Sequence, residues 1–169
     1  LQAFQAFLAQ QLDAATMGAL LSQTNGGALA AGAYMQALAD TFYGQIKAQV
    51  LDKGATRVAV LDMPDITLTP RFKAVLTGVA AATSTAQAQA LQGAIRQWIG
   101  AFNARLASRF AGESRVAVVP FYADLTDEVN NPANFQLSNA TEAACPVVGR
   151  GADGLPEYNF PTCTSAALD

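Results

Sequence analysis

The stretch TRVAVL at residues 56–61 decides the fold class that the sequence predicts. It is short, rich in β-branched residues and apolar on both faces, and it lies between Gly54 and Pro64. A run apolar on both faces is typical of a buried strand in a parallel sheet that helices cover. A second such run, RVAVV at residues 115–119, ends just before Pro120. We therefore predict strands over residues 56–61 and 115–119.

Helical periodicity occupies most of the remaining chain. Apolar residues recur at spacings of three and four, which predicts helices over residues 3–21, 28–52, 71–80 and 86–111. The order helix, helix, strand, helices, strand is typical of an α/β fold with three layers, a parallel sheet flanked by helices. Two strands do not form a stable sheet between two helical layers. We therefore expect residues 1–169 to be a fragment of one domain, completed by complementary segments of the same protein.

The last part of the chain, residues 130–169, is rich in Gly and Pro and is predicted to be a loop-rich tail. It carries Cys145 and Cys163, the two cysteines of the chain. They form either a disulfide or two reduced thiols, and we favour the disulfide because they lie in an exposed Gly/Pro-rich segment of a chain that we expect to be exported. We expect a secreted, periplasmic or cell-surface protein.

Composition excludes several classes of function. A net charge of -3 leaves no basic surplus to neutralise phosphates, so we expect no nucleic-acid partner. The longest apolar stretch, residues 28–35, is far shorter than the roughly 20 residues of a transmembrane helix. The chain has no histidine, so it cannot supply a Ser-His-Asp or Cys-His triad by itself. We expect neither a metal site nor a cofactor.

Two groups of carboxylates allow a functional or a structural interpretation. Asp62 and Asp65 follow the first predicted strand, at the edge where α/β sheets place their sites, and paired carboxylates there could perform acid–base chemistry. We favour the alternative, a polar turn that caps the next element. Asp124, Asp127 and Glu128 likewise suit the start of a short helix, where negative charge interacts favourably with the helix dipole.

Three stretches together resemble a known family. Residues 58–70, VAVLDMPDITLTP, resemble the strand and following loop of the GDSL-type (SGNH) esterases and lipases. Residues 102–106, FNARL, resemble a helix motif of that family. Residues 124–145, which run from a short helix through Asn-Pro to Cys145, resemble a later segment.

The resemblance implies a serine ester hydrolase with a five-stranded parallel sheet between helices. Its catalytic Ser belongs to a Gly-Asp-Ser block and its His to an Asp-x-x-His block, and neither block occurs in this sequence. We therefore assign no catalytic residue to this chain. The resemblance places an apolar substrate pocket wall at six residues: Met63, Pro64, Ile66, Leu68, Phe121 and Tyr122.

The function expected from this resemblance is part of a secreted carboxylic-ester hydrolase, of the esterase or lipase type. It would act through an acyl-enzyme on an ester or lipid substrate, with the catalytic Ser and His outside this chain. The chain alone is then inactive. The alternative is a non-catalytic, exported, Ala-rich helical module that binds a partner through an exposed apolar face.

Overall fold

A computed structural model describes residues 2–152 and 154–163 of the chain. These residues divide into two compact units. The first unit comprises the described residues of Leu1–Met63 together with Arg96–Pro120, and the second comprises Pro64–Ile95 together with the described residues of Phe121–Asp169. The expectation that residues 1–169 belong to a single domain stays a prediction.

The first unit is built from helices around a pair of strands. Its elements are α1 (Gln2–Leu8), α2 (Ala14–Leu21), α3 (Gly26–Ile46), a π-helical turn (Lys47–Leu51), β1 (Val58–Leu61), the later part of α5 (Thr85–Phe110) and β2 (Val116–Val119). Gly54 follows the π-helical turn with a φ of 97°, which a side chain would disfavour, and it lets the chain turn toward β1.

The strands β1 and β2 pair in parallel, from Val58 opposite Val116 to Leu61 opposite Val119. They lie within the two stretches predicted as strands. One face of the pair contributes to the core: Val60 is buried in a cluster with Ala39, Leu51, Phe102, Leu106 and Phe110, and Val58, Val116 and Val118 pack against that cluster. On the other face, Ala59, Leu61 and Ala117 are exposed. Burial of each large core side chain contributes about 1.5 to 3 kcal/mol.

The second unit combines helices with a hairpin that a disulfide closes. Its elements are a 3-10 turn (Ile66–Leu68), α4 (Pro70–Ala82), the first part of α5, α6 (Phe121–Asn130), a 3-10 turn (Pro132–Phe135), β3 (Val147–Arg150), β4 (Pro156–Tyr158) and a 3-10 turn (Phe160–Thr162). The Thr69 hydroxyl accepts a hydrogen bond from the Phe72 N–H, and Pro70 occupies the first turn, so α4 begins with a favoured cap.

The predicted fold class is wrong. The described residues form mostly helices and two separate two-stranded sheets, one parallel and one antiparallel, rather than a three-layer domain around a parallel sheet. The reason is that the chain contains only two strongly apolar β-branched runs, each giving a strand of four residues. The other long segments are rich in alanine, the best helix former, and do not supply further parallel strands.

Two local predictions also differ from the structure. The segment predicted as one helix over residues 3–21 forms α1 and α2, because the Asp13 side chain accepts a hydrogen bond of 2.9 Å from the Thr16 N–H and caps a new helix. The tail predicted to be loop-rich contains the antiparallel strands β3 and β4. Both strands are short and interrupted by Gly or Pro, so their pattern is weak. Residues 164–169 of the tail lie outside the described part.

Candidate functional site

A small apolar groove lies at the carboxyl end of β1, within the first unit. It has a volume of about 280 Å³. We name it the β1-end groove; its lining residues are Leu38, Phe42, Leu61, Asp62, Met63 and Phe102. Three elements therefore form it: helix α3, the end of β1 with the two residues that follow, and helix α5.

The groove combines a buried floor with accessible walls. Phe102 is only 6% exposed, whereas Phe42 is 40% and Leu61 53% exposed. The Phe42 and Phe102 rings are tilted, with centroids 6.2 Å apart. Exposed large apolar side chains beside a buried aromatic floor can bind an aliphatic chain, since burial of apolar area drives such binding.

The wall of the groove that follows β1 is held by Asn103. The Met63 N–H donates to Asn103 Oδ1 at 2.8 Å, and Asn103 Nδ2 donates to the Met63 carbonyl at 2.8 Å. One residue earlier, the Asp62 N–H donates to the Val119 carbonyl at 3.0 Å, which extends the parallel ladder by one bond. The backbone at this wall is thereby fixed on both sides.

An ion cluster fastens the two helices that line the groove. Arg105 of α5 donates to both carboxylate oxygens of Asp40 of α3, at 2.8 and 2.9 Å. Arg109 Nε lies 2.7 Å from Asp40 Oδ1, and its guanidinium stacks 5.2 Å from the Tyr43 ring centre. The hydrogen bonds from Arg105 lower the pKa of Asp40, with the charge of Arg109 acting in the same direction, and Asp40 raises the pKa of Arg105. The cluster joins α3 to α5, the two helices that line the groove.

Of the six residues predicted as a pocket wall, Met63 lines the groove. The other five, Pro64, Ile66, Leu68, Phe121 and Tyr122, belong to the second unit, and their role as a substrate wall stays a prediction. The sequence interpretation missed Leu38, Phe42 and Phe102, because their helical spacing is typical of core residues. The motif FNARL at residues 102–106 was a signal that could have pointed to Phe102.

Asp65, the second of the two carboxylates that follow β1, is held in a local turn. Asp65 is 1% exposed, and its Oδ1 accepts hydrogen bonds from the Thr67 N–H at 3.0 Å and from the Thr67 hydroxyl at 2.6 Å. Gln92 Nε2 in turn donates to the Thr67 hydroxyl at 3.2 Å. This arrangement is the polar turn that we favoured for Asp65. Asp124 lies in the first turn of α6, where its negative charge interacts favourably with the helix dipole.

The predicted disulfide is confirmed. Cys145 and Cys163 are joined, with their Cα atoms 4.8 Å apart, and the bond encloses the β3–β4 hairpin. Beside the hairpin lies a wider depression of about 630 Å³, lined in part by Arg71, Val148 and Phe160. Arg71 Nη1 donates to the Pro156 carbonyl there at 3.2 Å.

No group of three or more His, Cys, Asp or Glu side chains is placed to hold a metal ion in the part of the chain that the structure describes, residues 2–152 and 154–163. None of its helices combines the length and the apolar character needed to cross a bilayer. Comparison of the chain with protein-family models, with curated proteins and with solved structures finds no match.

Proposed function

We propose that this protein takes part in the hydrolysis of carboxylic esters and that the β1-end groove binds the acyl chain of the ester. The observation that carries the proposal is the position of an apolar groove at the carboxyl end of a parallel strand, directly before the loop whose sequence resembles the GDSL-type esterases.

The lining of the groove supports an acyl ligand. Five of its six lining side chains are apolar, and a ligand site typically combines such a lining with few polar groups. Its volume of about 280 Å³ lies at the lower limit of ligand pockets, which favours short or medium acyl chains.

The chemistry of the proposal requires groups from outside this chain. A serine hydroxyl needs an adjacent base to attack an ester, and the sequence contains no histidine. We propose that complementary segments of the same protein supply the Ser, the His and the oxyanion donors. The exposed apolar residues Ala59, Leu61 and Ala117 on the outer face of the β1–β2 pair support contact with such segments. The disulfide supports a secreted, periplasmic or cell-surface location, because disulfides persist in oxidising compartments.

The experiment that tests the groove uses its methionine as a reporter. The chain has three methionines, so labelling the methionine methyl groups with carbon-13 gives three NMR signals. Met63 lines the groove, whereas Met17 packs against the core of α1 and α3 and serves as the internal control; Met35 packs against that core and also against the core that contains Phe102. Titration with ethyl hexanoate should shift the Met63 signal and leave the Met17 signal unchanged.

A homologous series and a matched pair of variants sharpen this test. From ethyl butyrate upward, affinity should rise about fourfold per methylene, because each buried methylene contributes about 0.8 kcal/mol, until the groove is filled. Phe42→Asp should abolish the shift of Met63. Leu29→Asp, which changes a residue of the same helix with nearly equal exposure (43% against 40%), should not. If none of the esters shifts the Met63 methyl signal, the result contradicts the proposal and favours the non-catalytic binding module.

A further inference from the structure

We infer that Asn139 is a site of N-linked glycosylation, with a lipid-linked oligosaccharide as the donor substrate. The inference goes beyond the proposed ester hydrolysis and rests on one part of the proposed function, the export of the protein. Its basis is the tripeptide Asn139-Ala140-Thr141, which has the pattern Asn-x-Ser/Thr. Oligosaccharyltransferases recognise this pattern when the middle residue is not proline.

The pattern occurs once in the chain. Of all its asparagines, Asn139 alone is followed two residues later by Ser or Thr. Asn131 directly precedes Pro132, and Asn134 has Gln136 at the second position. The inference therefore assigns one modified residue and leaves the other asparagines unmodified.

The structure places this tripeptide on the surface of the second unit. Asn139 and Thr141 are both exposed. They lie in an irregular segment between the 3-10 turn Pro132–Phe135 and strand β3. N-linked glycans are bulky and are attached at such surface loops. Both residues that the transferase recognises are therefore accessible.

A local turn folds Thr141 back toward the acceptor side chain. Asn139 Oδ1 accepts hydrogen bonds from the Thr141 N–H at 3.1 Å and from the Glu142 N–H at 2.9 Å, as in an Asx turn. These bonds draw electron density from the side-chain amide and make its N–H protons more acidic. Asn139 Nδ2 donates to the Glu142 carbonyl at 3.2 Å, which uses one of its two hydrogens. Because the turn lies within residues 139–142, it does not depend on distant parts of the chain.

The transfer forms one bond and breaks one. Asn139 Nδ2 attacks C1 of the first sugar, and the bond between C1 and the pyrophosphate oxygen of the donor breaks. The lipid pyrophosphate leaves with the electron pair, and the Nδ2 proton passes to a base of the transferase. Because the donor sugar is already activated, the step needs neither an oxidant nor a reductant.

The disulfide gives support that is independent of the sequence pattern. Cys145 follows Asn139 closely along the chain and is joined to Cys163. Disulfide formation and N-linked glycosylation are both modifications of secreted proteins. The same export that accounts for the disulfide would therefore expose Asn139 to the transferase.

The test expresses the 169-residue chain behind a secretory leader in a eukaryotic host and measures the intact mass of the secreted protein. The mass should exceed that of the sequence by one glycan, and peptide N-glycosidase should remove the excess. In water enriched in oxygen-18, this enzyme converts a glycosylated asparagine to an aspartate that carries the heavy isotope. The label should be found at Asn139 after digestion with trypsin.

Paired variants separate recognition of the pattern from a change in the loop. Asn139→Gln and Thr141→Ala should lose the glycan completely, whereas Thr141→Ser, which keeps the hydroxyl, should retain it. Asn134→Gln changes another exposed asparagine of the same unit, and this matched control should also retain the glycan.

Two results would overturn the inference: secreted protein with the mass of the unmodified chain, or a glycan that Asn139→Gln does not remove. Both would leave the ester groove untouched, since the Met63 signal tests it separately. If the chain is instead retained in the cell with two free thiols, the proposed location fails and this inference fails with it.

Discussion

The side-chain amide of Asn103 is paired with the backbone of Met63 through two hydrogen bonds of 2.8 Å, one to the Met63 N–H and one to its carbonyl. Met63 lies two residues after the end of β1, and the Asn103 side-chain amide makes the two backbone hydrogen bonds that a neighbouring strand would otherwise make. Because Phe102, the preceding residue of α5, forms the floor of the β1-end groove, consecutive residues of one helix build the floor and fix the wall.

Replacing Asn103 with leucine should lower the free energy of unfolding by about 2 kcal/mol. The apolar side chain leaves two partly buried backbone groups of Met63 unpaired, and each such group costs about 1 to 3 kcal/mol when it is fully buried. Urea denaturation followed by the fluorescence of Trp98, the one tryptophan of the chain, measures this in the unit concerned. Gln45→Leu, at an exposed side-chain amide of the same unit, is the control and should change stability by no more than about 0.5 kcal/mol. Equal effects of both variants would contradict a special role for Asn103.

Glu113 should make the protein lose stability in acid. Hydrogen bonds from the Arg115 guanidinium and from the Arg115 N–H lower the pKa of Glu113 from 4.5 to about 2. A lowered pKa stabilises the folded state at pH values above 4.5, and this contribution disappears as the pH falls from 4.5 to about 2.

Glu113→Gln should therefore flatten the dependence of unfolding free energy on pH between 4.5 and 2. Denaturation curves at half-unit steps of pH measure it. In a background that carries Arg115→Gln, the same substitution should have little effect on the slope, because the shift depends on Arg115. An equal flattening in both backgrounds would show that the pair is not the cause.

Loss of the disulfide should loosen the hairpin of the second unit. In the chain-entropy model, a cross-link between residues 18 apart contributes about 3 kcal/mol. After reduction, or in a Cys145→Ser, Cys163→Ser variant, the hairpin amides of Gly151 and Asn159 should exchange hydrogen faster. Amides of the β1–β2 pair serve as the internal control and should keep their rates. Mass spectrometry of protein never exposed to reductant should find no free thiol, and two free thiols would rule out the bond.

The chain by itself should not hydrolyse p-nitrophenyl esters. It contains no imidazole to activate a serine, and a free serine hydroxyl is a poor nucleophile at neutral pH. In every purified fraction, we expect the rate of ester hydrolysis to be no higher than the rate in buffer without protein. Turnover that survives purification and disappears when one serine is mutated would refute this prediction.

Local features of this protein could be predicted from the sequence because short-range physics determines them. The apolar runs around Val60 and Val118 became strands, the long amphipathic pattern became α5, and the two cysteines became a disulfide. The predicted fold class was wrong because a complete sheet depends on contacts between residues that are distant in the chain. Two apolar strands indicate that other elements should cover their faces, but their sequence does not show which elements these are.

The site was predicted only in part, for a related reason. Met63 was assigned to the pocket wall through the resemblance of its loop, but Phe42 and Phe102 have the helical spacing of core residues. Spacing along a helix predicts which face is apolar and not how much of that face stays accessible. The 40% exposure of Phe42 results from where β1 ends relative to α3, and no local pattern encodes it.

The parallel pairing of β1 with β2 also has a kinetic consequence. Val58 meets Val116 only after a long segment of chain, which includes helices α4 and α5, has been closed into a loop. Closing that loop costs conformational entropy before contacts between the strands can offset the cost. We therefore expect β1 and β2 to pair late in folding. Substitutions in β2, such as Val118→Ala, should therefore mainly accelerate unfolding and leave the refolding rate nearly unchanged.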